Sequence, residues 1–365
     1  MIFLTQQSCN FAAVKFRFVL FFLLSCSRLF SQTIGGNSVF NFLNLPNTPQ
    51  LTALGGINVS ANSNDVGMAF YSPALLNKSM HTQINLVFND FYAGVETYHM
   101  NFGYHNPKLN TNFSYGIHFF DYGNLAQTDA AGNTFGEFRA SDWVMQVSAS
   151  HSYKEKWNLG TTLKFISSNY GQYKANGLAA DISLLYKDTA KLFSASVLIR
   201  NAGFQLKEYP GARGGDLPFD LQAGITQRLK NAPFSFSLTA HHLHVFDISY
   251  NDTLFNNAND FENSSEGFSF DKLFQHIVLA TTIHIDKKVE ATFGYNHLRR
   301  KELNIGKEGN GLNGFSIGFA VLLNKIQIRF ARANYQNNTA YNQLGLNLKL
   351  NEYFGLGKLG KQAGW

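Results

Sequence analysis

The chain has 365 residues, 45% of them hydrophobic and 15% aromatic, with 35 Phe, 16 Tyr, only 7 Pro and a formal net charge of +6. A mean hydropathy of −0.15 is too polar for a bundle of membrane helices, and after the N-terminal leader no run reaches the roughly 18 apolar residues that a spanning helix needs. The charge falls to +3 when Lys15, Arg17 and Arg28 leave with that leader, too small a bias to argue for nucleic acid.

Residues 1–31 read as a secretory signal. Lys15 and Arg17 precede the apolar run from Phe18 to Leu24, and the expected cut lies between Ser31 and Gln32. The long stretch before Lys15 suggests a start codon further downstream. Leu23-Leu24-Ser25-Cys26 loosely resembles a lipobox, but a barrel needs no lipid anchor. Cys9 and Cys26 are the two cysteines and both leave with the leader, so no disulfide or thiolate site is expected.

Residues 32–82 are rich in Gly, Asn and Leu and lack the alternation of a strand pair, which predicts a plug or hatch. Residues 83–353 change register in steps of two, ten or so residues at a time, as membrane-spanning β-strands do. The predicted strands are 83–93, 96–105, 111–122, 141–153, 157–169, 175–187, 192–205, 219–229, 234–246, 274–286, 289–298, 314–323, 326–336 and 341–351. In the last, Leu344, Leu346, Leu348 and Leu350 share one face, and Gly345, Asn347 and Lys349 the other. Every second connection is short and carries a lysine in or beside it. Most of the others are long: 123–140, 206–218, 247–273 and 299–313. This asymmetry predicts an integral outer-membrane, all-β barrel of about fourteen antiparallel strands, with short periplasmic turns, long outer loops and both termini periplasmic. Residues 354–365 form a tail.

Several short runs resemble a known family. Ser38-Val-Phe40-Asn-Phe42-Leu-Asn-Leu-Pro46, Leu54-Gly55-Gly56 and Pro73-Ala74-Leu75-Leu76 are similar to the plug of the FadL-like outer-membrane barrels. Gly177-Leu-Ala-Ala-Asp181, Asn201-Ala-Gly203, Leu217-Pro-Phe-Asp220, Thr239-Ala-His-His-Leu243 and Gly294-Tyr-Asn-His-Leu-Arg-Arg300 narrow the resemblance to the PorQ-like barrels of the type IX secretion system. Where FadL-like plugs carry Asn-Pro-Ala, Ser72 precedes Pro73 here; serine can still make a local hydrogen-bonded turn. The resemblance implies a non-enzymatic anchor in the attachment complex that displays secreted cargo, with a PorZ-like surface protein as partner beside PorU and PorV. Its alternative is a FadL-like channel for hydrophobic small molecules.

The residues offer few sites for chemistry, and no catalytic, cofactor or metal site is expected. Gly355-Leu-Gly357-Lys-Leu-Gly360 matches a dinucleotide fingerprint without the strand and helix it needs. Gly314-Phe-Ser316-Ile-Gly318 matches a nucleophile elbow but reads as the small face of a strand, with His297 one strand away. His241-His242-x-His244 puts His242 and His244 on one strand face, as two metal ligands would stand, yet only Asp247 is close in sequence, and a polar aromatic rim is the expected role. Arg299 and Arg300 open an outer loop, where they suit interfacial cations or lipopolysaccharide phosphate. Loop 247–273 carries Phe255, Phe261, Phe268 and Phe270 among polar residues, so these four and the two arginines are the candidate partner contacts. The register makes one prediction. Leu346→Arg should cost about 2–4 kcal/mol at mid-membrane, whereas Asn347→Arg should be milder unless the lumen is tightly packed; urea unfolding in lipid would compare them.

Overall fold

The computed structural model describes residues 38–91, 94–129, 131–211, 214–248, 269–286, 288–304, 310–336 and 339–354. Fourteen antiparallel strands close into one barrel in which each pairs with its neighbours in sequence, and β1 closes on β14. The strands are β1 Gln83–Asp90, β2 Glu96–Asn106, β3 Thr111–Thr128, β4 Thr134–Tyr153, β5 Trp157–Tyr170, β6 Tyr173–Asp188 and β7 Phe193–Lys207. They continue as β8 Asp220–Arg228, β9 Phe234–Ala240, β10 Ile277–Ile285, β11 Val289–Asn296, β12 Phe315–Leu322, β13 Ile326–Gln336 and β14 Thr339–Lys349. The closing ladder runs unbroken from Gln83↔Lys349 to Asp90↔Asn342. Closure leaves no edge with unpaired backbone, the condition for lying in hydrocarbon. No helix among the described residues is long and apolar enough to cross a membrane.

The wall is uneven in height. β3 and β4 run to 18 and 20 residues, whereas β9 has 7. Much of the predicted 123–140 loop is therefore strand: the β3–β4 ladder continues to Thr128↔Thr134 past a register shift between Asp121 and Asn124. On the low side, predicted strand 234–246 stops at Ala240, and His242 just beyond it takes a left-handed backbone (φ 53°) that breaks regular strand geometry. The segment before β10 is also different. Residues 270–275 form a short helix, with the Ser269 hydroxyl accepting from the Asp271 N–H at 3.1 Å.

Alternation sorts the two faces. Leu163, Val147, Ile182, Val197, Phe319 and Leu344 point outward and are exposed, an apolar belt that needs lipid around it. Their neighbours Lys164, Gln146, Asp181, Ser196, Ala320 and Gln343 point inward and are buried. Something therefore fills the lumen. Asn347 is among the inward residues; it donates to Asp65 at 3.0 Å and to Gln327 at 3.3 Å. The exception set for Asn347→Arg, a tightly packed lumen, thus applies: arginine there meets packed polar atoms, and both Leu346→Arg and Asn347→Arg should impair assembly.

Closed pairing of this extent also predicts heat-modifiable migration in detergent gels, folded unheated and slower after boiling. Recovery of the chain as a soluble species without detergent would contradict the barrel.

Candidate functional site

The lumen is occupied by residues 38–80. A 3-10 turn at Asn41–Asn44, a helix at Pro49–Ala53, a helix at Val66–Tyr71 and 3-10 turns at Pro73–Leu75 and Lys78–Met80 descend through it. The path starts where Ser38 bridges Asp216, in the β7–β8 connection at the long-loop end. It finishes at β1 at the short-turn end, where Gln83 faces Lys349. Gln83 and Lys349 thus lie at one end of the barrel, as an even strand count requires, but Ser38 lies at the other.

Segments this short cannot satisfy their own backbone, so the wall does it for them. Arg200 donates to the Leu43 carbonyl at 2.5 Å, Asn101 to Val66 at 2.7 Å and Gln146 to Phe70 at 2.9 Å. Asn158 donates to Ala74 at 2.6 Å, Ser194 to Ser60 at 2.7 Å and Ser316 to Ala53 at 3.0 Å. Ser183 accepts from the Ala74 N–H at 2.7 Å, and Gln83 from Val66 at 3.0 Å. These bonds come from seven of the fourteen strands, β1, β2, β4 to β7 and β12. Asp65 sits at their centre. Its carboxylate caps the Val66–Tyr71 helix at the Gly67 N–H (2.8 Å), accepts from Thr48 (2.7 Å) and Asn347, and lies 3.7 Å from the Arg329 guanidinium. Arg329 also bonds Gln50 in the helix above.

The motifs behind the family resemblance fall at these contacts. Gly177 faces the Phe40 ring, and a Cβ at Gly160 or Gly294 would land on plug backbone, at Pro73–Ala74 and at Ala53–Gly55 respectively. Asp181 holds the buried Lys164 ammonium at 2.6 Å and accepts from the Asn201 N–H at 2.8 Å, where β7 bulges and Asn201 turns left-handed. Such a pair recovers its desolvation cost only through further bonds, and Asn201 accepts a second Lys164 bond at 2.8 Å. Ser72 differs from expectation. Its hydroxyl has no hydrogen-bond partner among the described residues, and the turn closes through its carbonyl, which accepts from Leu75 at 3.1 Å.

At the long-loop end the helix Phe270–Gln275 docks on a second, His297–Leu303. Asp271 bonds His297 at 3.0 Å and Lys301 at 3.1 Å, and Asn296 caps the second helix at the Arg299 N–H. Of the candidate contacts, Phe255, Phe261 and Phe268 lie outside the described residues. Phe270 opens its helix at 72% exposure, with Leu273 and Phe274 exposed beside it. Arg299 and Arg300 are half-buried on the second helix, and Arg300 donates to the Gly311 carbonyl at 3.2 Å, so it braces the β11–β12 connection. Sequence reasoning missed both helices, although Ser269 and Asn296 stand as N-cap residues before them. His242 and His244 share no strand face, since both lie in the turn after β9. His242 instead meets His241, Nδ1 to Nδ1 at 2.6 Å, with the Asp220 carboxylate beside them. The Ser316 hydroxyl is committed to the plug, which leaves the nucleophile reading without support.

No protein-family model matches the sequence, and no curated protein does. Among solved structures, a TodX monoaromatic hydrocarbon channel deltaS2 mutant is similar at a TM-score of 0.45 and 12% identity, covering 82% of this chain and 97% of that one. A Pseudomonas aeruginosa FadL homologue is similar at 0.37 and 9%, covering 78% and 94%. A triple mutant of Rhodopseudomonas blastica porin is similar at 0.30 and 7%, covering 73% and 97%. Scores of this size carry no functional argument. The class of the protein rests on its own strands: a closed, fourteen-stranded outer-membrane β-barrel with an internal plug. FadL-like barrels are among its structural neighbours.

The wall contacts predict that Gly160→Val, which would drive a side chain into Pro73 and Ala74, abolishes the heat-modifiable form. Gly311→Ala, in open space, should leave it intact.

Proposed function

We propose that this chain is a non-enzymatic, plugged barrel of the outer membrane that anchors a surface partner at its long-loop end. The observation that carries the reading is the plug itself, bonded to wall side chains around the lumen, which suits a fixed support better than an open pore. In this reading residues 1–31 are removed as a leader, and the short turns and the end of β14 face the periplasm; the tail beyond Phe354 lies outside the described residues. The short turns offer too little surface for a sizeable interface, so the partner docks on the outer loops. The exposed Phe270, Leu273 and Phe274 supply aromatic and aliphatic anchors, and Phe255, Phe261 and Phe268, outside the described residues, are the further contacts proposed. With the PorQ-like resemblance, the partner is a PorZ-like surface protein of the type IX attachment complex, with PorU and PorV as co-members and lipopolysaccharide around the barrel.

A channel for hydrophobic small molecules is the second reading, and one observation favours it. An apolar groove of about 430 Å³ opens on the lipid side of β14, β1, β2 and β3, lined by Leu86, Phe88, Met100, Ile117, Phe119 and Leu344. The ladders behind it keep continuous register, so uptake would need them to part.

Deleting residues 252–267 tests the anchor. The barrel should still assemble and migrate heat-modifiably, while the surface partner is lost from pull-downs of native membranes and cargo display falls. Ser316→Ala should leave display intact. Retention of the partner by the loop deletion, together with partner-independent uptake of apolar solutes by the wild type, would replace the anchor with the channel.

A further inference from the structure

We propose that Asp220, His241 and His242 form a site for one divalent transition-metal ion of the zinc class, at the base of the longest loop. The three ligand atoms converge within 4.8 Å of one another. His241 and Asp220 are buried, and the His242 side chain is 30% exposed, which leaves a solvent-facing side for a further ligand.

The geometry is close to what such an ion needs. The two Nδ1 atoms face each other at 2.6 Å, and His242 Nδ1 lies 3.9 Å from an Asp220 oxygen. Tetrahedral zinc with bonds of about 2.0–2.1 Å sets its ligand atoms roughly 3.3 Å apart. Seating the ion therefore asks the two imidazoles to open, and His242 and the carboxylate to close, by well under an ångström each, with the His241–Asp220 separation starting within 4.8 Å. Without an ion, one nitrogen must carry a proton to hold the pair together, and metal takes the place of that proton.

The surrounding bonds prearrange the set. The Asp220 Oδ1 accepts from the His242 N–H at 2.6 Å, which holds His242 in its left-handed turn and aims its ring back over the carboxylate. Gln222 donates to Asp220 Oδ2 at 2.6 Å, orienting the second oxygen. His276, between the 270–275 helix and β10, clasps the His241 backbone: its ring Nδ1 lies 2.8 Å from the His241 carbonyl, and its own carbonyl accepts from the His241 N–H at 2.9 Å. An ion here would staple the start of β8 to the end of β9, the shortest strand of the barrel.

The site is independent of the anchor reading, and metal binding tests it directly. The untagged full chain in detergent, stripped with chelator, should take up one Zn²⁺ per chain by titration calorimetry, and Co²⁺ should give the intense visible bands of a tetrahedral site. His242→Asn keeps a residue that tolerates the left-handed turn and should weaken Zn²⁺ binding at least about ten-fold, as should Asp220→Asn. His244→Asn should bind as the wild type does. Each variant is scored only in its heat-modifiable, folded form. Absence of zinc uptake and cobalt bands in the wild type overturns the proposal. So does wild-type affinity in His242→Asn, or equal loss in His244→Asn.

Discussion

A chain that fills the lumen of a closed barrel is shielded from bulk water, and its backbone needs partners from the wall. Residues 38–80 form only short helices and turns, so most of their amides and carbonyls find no partner within the segment. Arg200, Asn101, Gln146, Asn158, Ser183, Ser194 and Ser316 answer those groups from six different strands. The polar lumen is thus the complement of the plug backbone, and its small residues are clearances for it. The same constraint explains why Ser316, in a motif that elsewhere marks a nucleophile, is only a donor to a carbonyl.

The uneven rim follows from how far each ladder is supported. β3 to β7 hold one another up in tall pairs, while β8 to β10 end early, at Asp220, Ala240 and Ile277. At that step the wall is completed by side-chain bonds: Asp220 to the His242 backbone, and His276 to His241 and Phe246. The two rim helices then cover β10 and β11 through the Asp271 contacts to His297 and Lys301. Exposed aromatics therefore stand on a braced platform.

Alternation was legible wherever one face meets lipid. Leu344 and Asn347 declared their sides in β14, and the fourteen strands could be counted from such signals. The plug's presence was legible too, from a segment with no period. Its contacts were not. Asp65 meets Asn347 across 282 residues of sequence, and no local pattern ties them. The end of β9 depends on Asp220 from another strand, so a histidine pair spaced for one face became a turn. Polar alternation in β3 and β4 beyond Asp121 looked like loop because, above the lipid, strands no longer need an apolar side.

The plug's route has a consequence for biogenesis. It enters at the mouth that carries the long loops and leaves at the opposite one, directly into β1, and β1 is also the strand that meets β14. A covalently attached thread of this kind cannot slip in sideways after the seam is sealed. Lying across the nascent sheet while that sheet is still open lets the curling wall wrap around it. Sealing the seam is then a capture event, and extraction afterwards means dragging some forty residues lengthwise past every bond that greeted them.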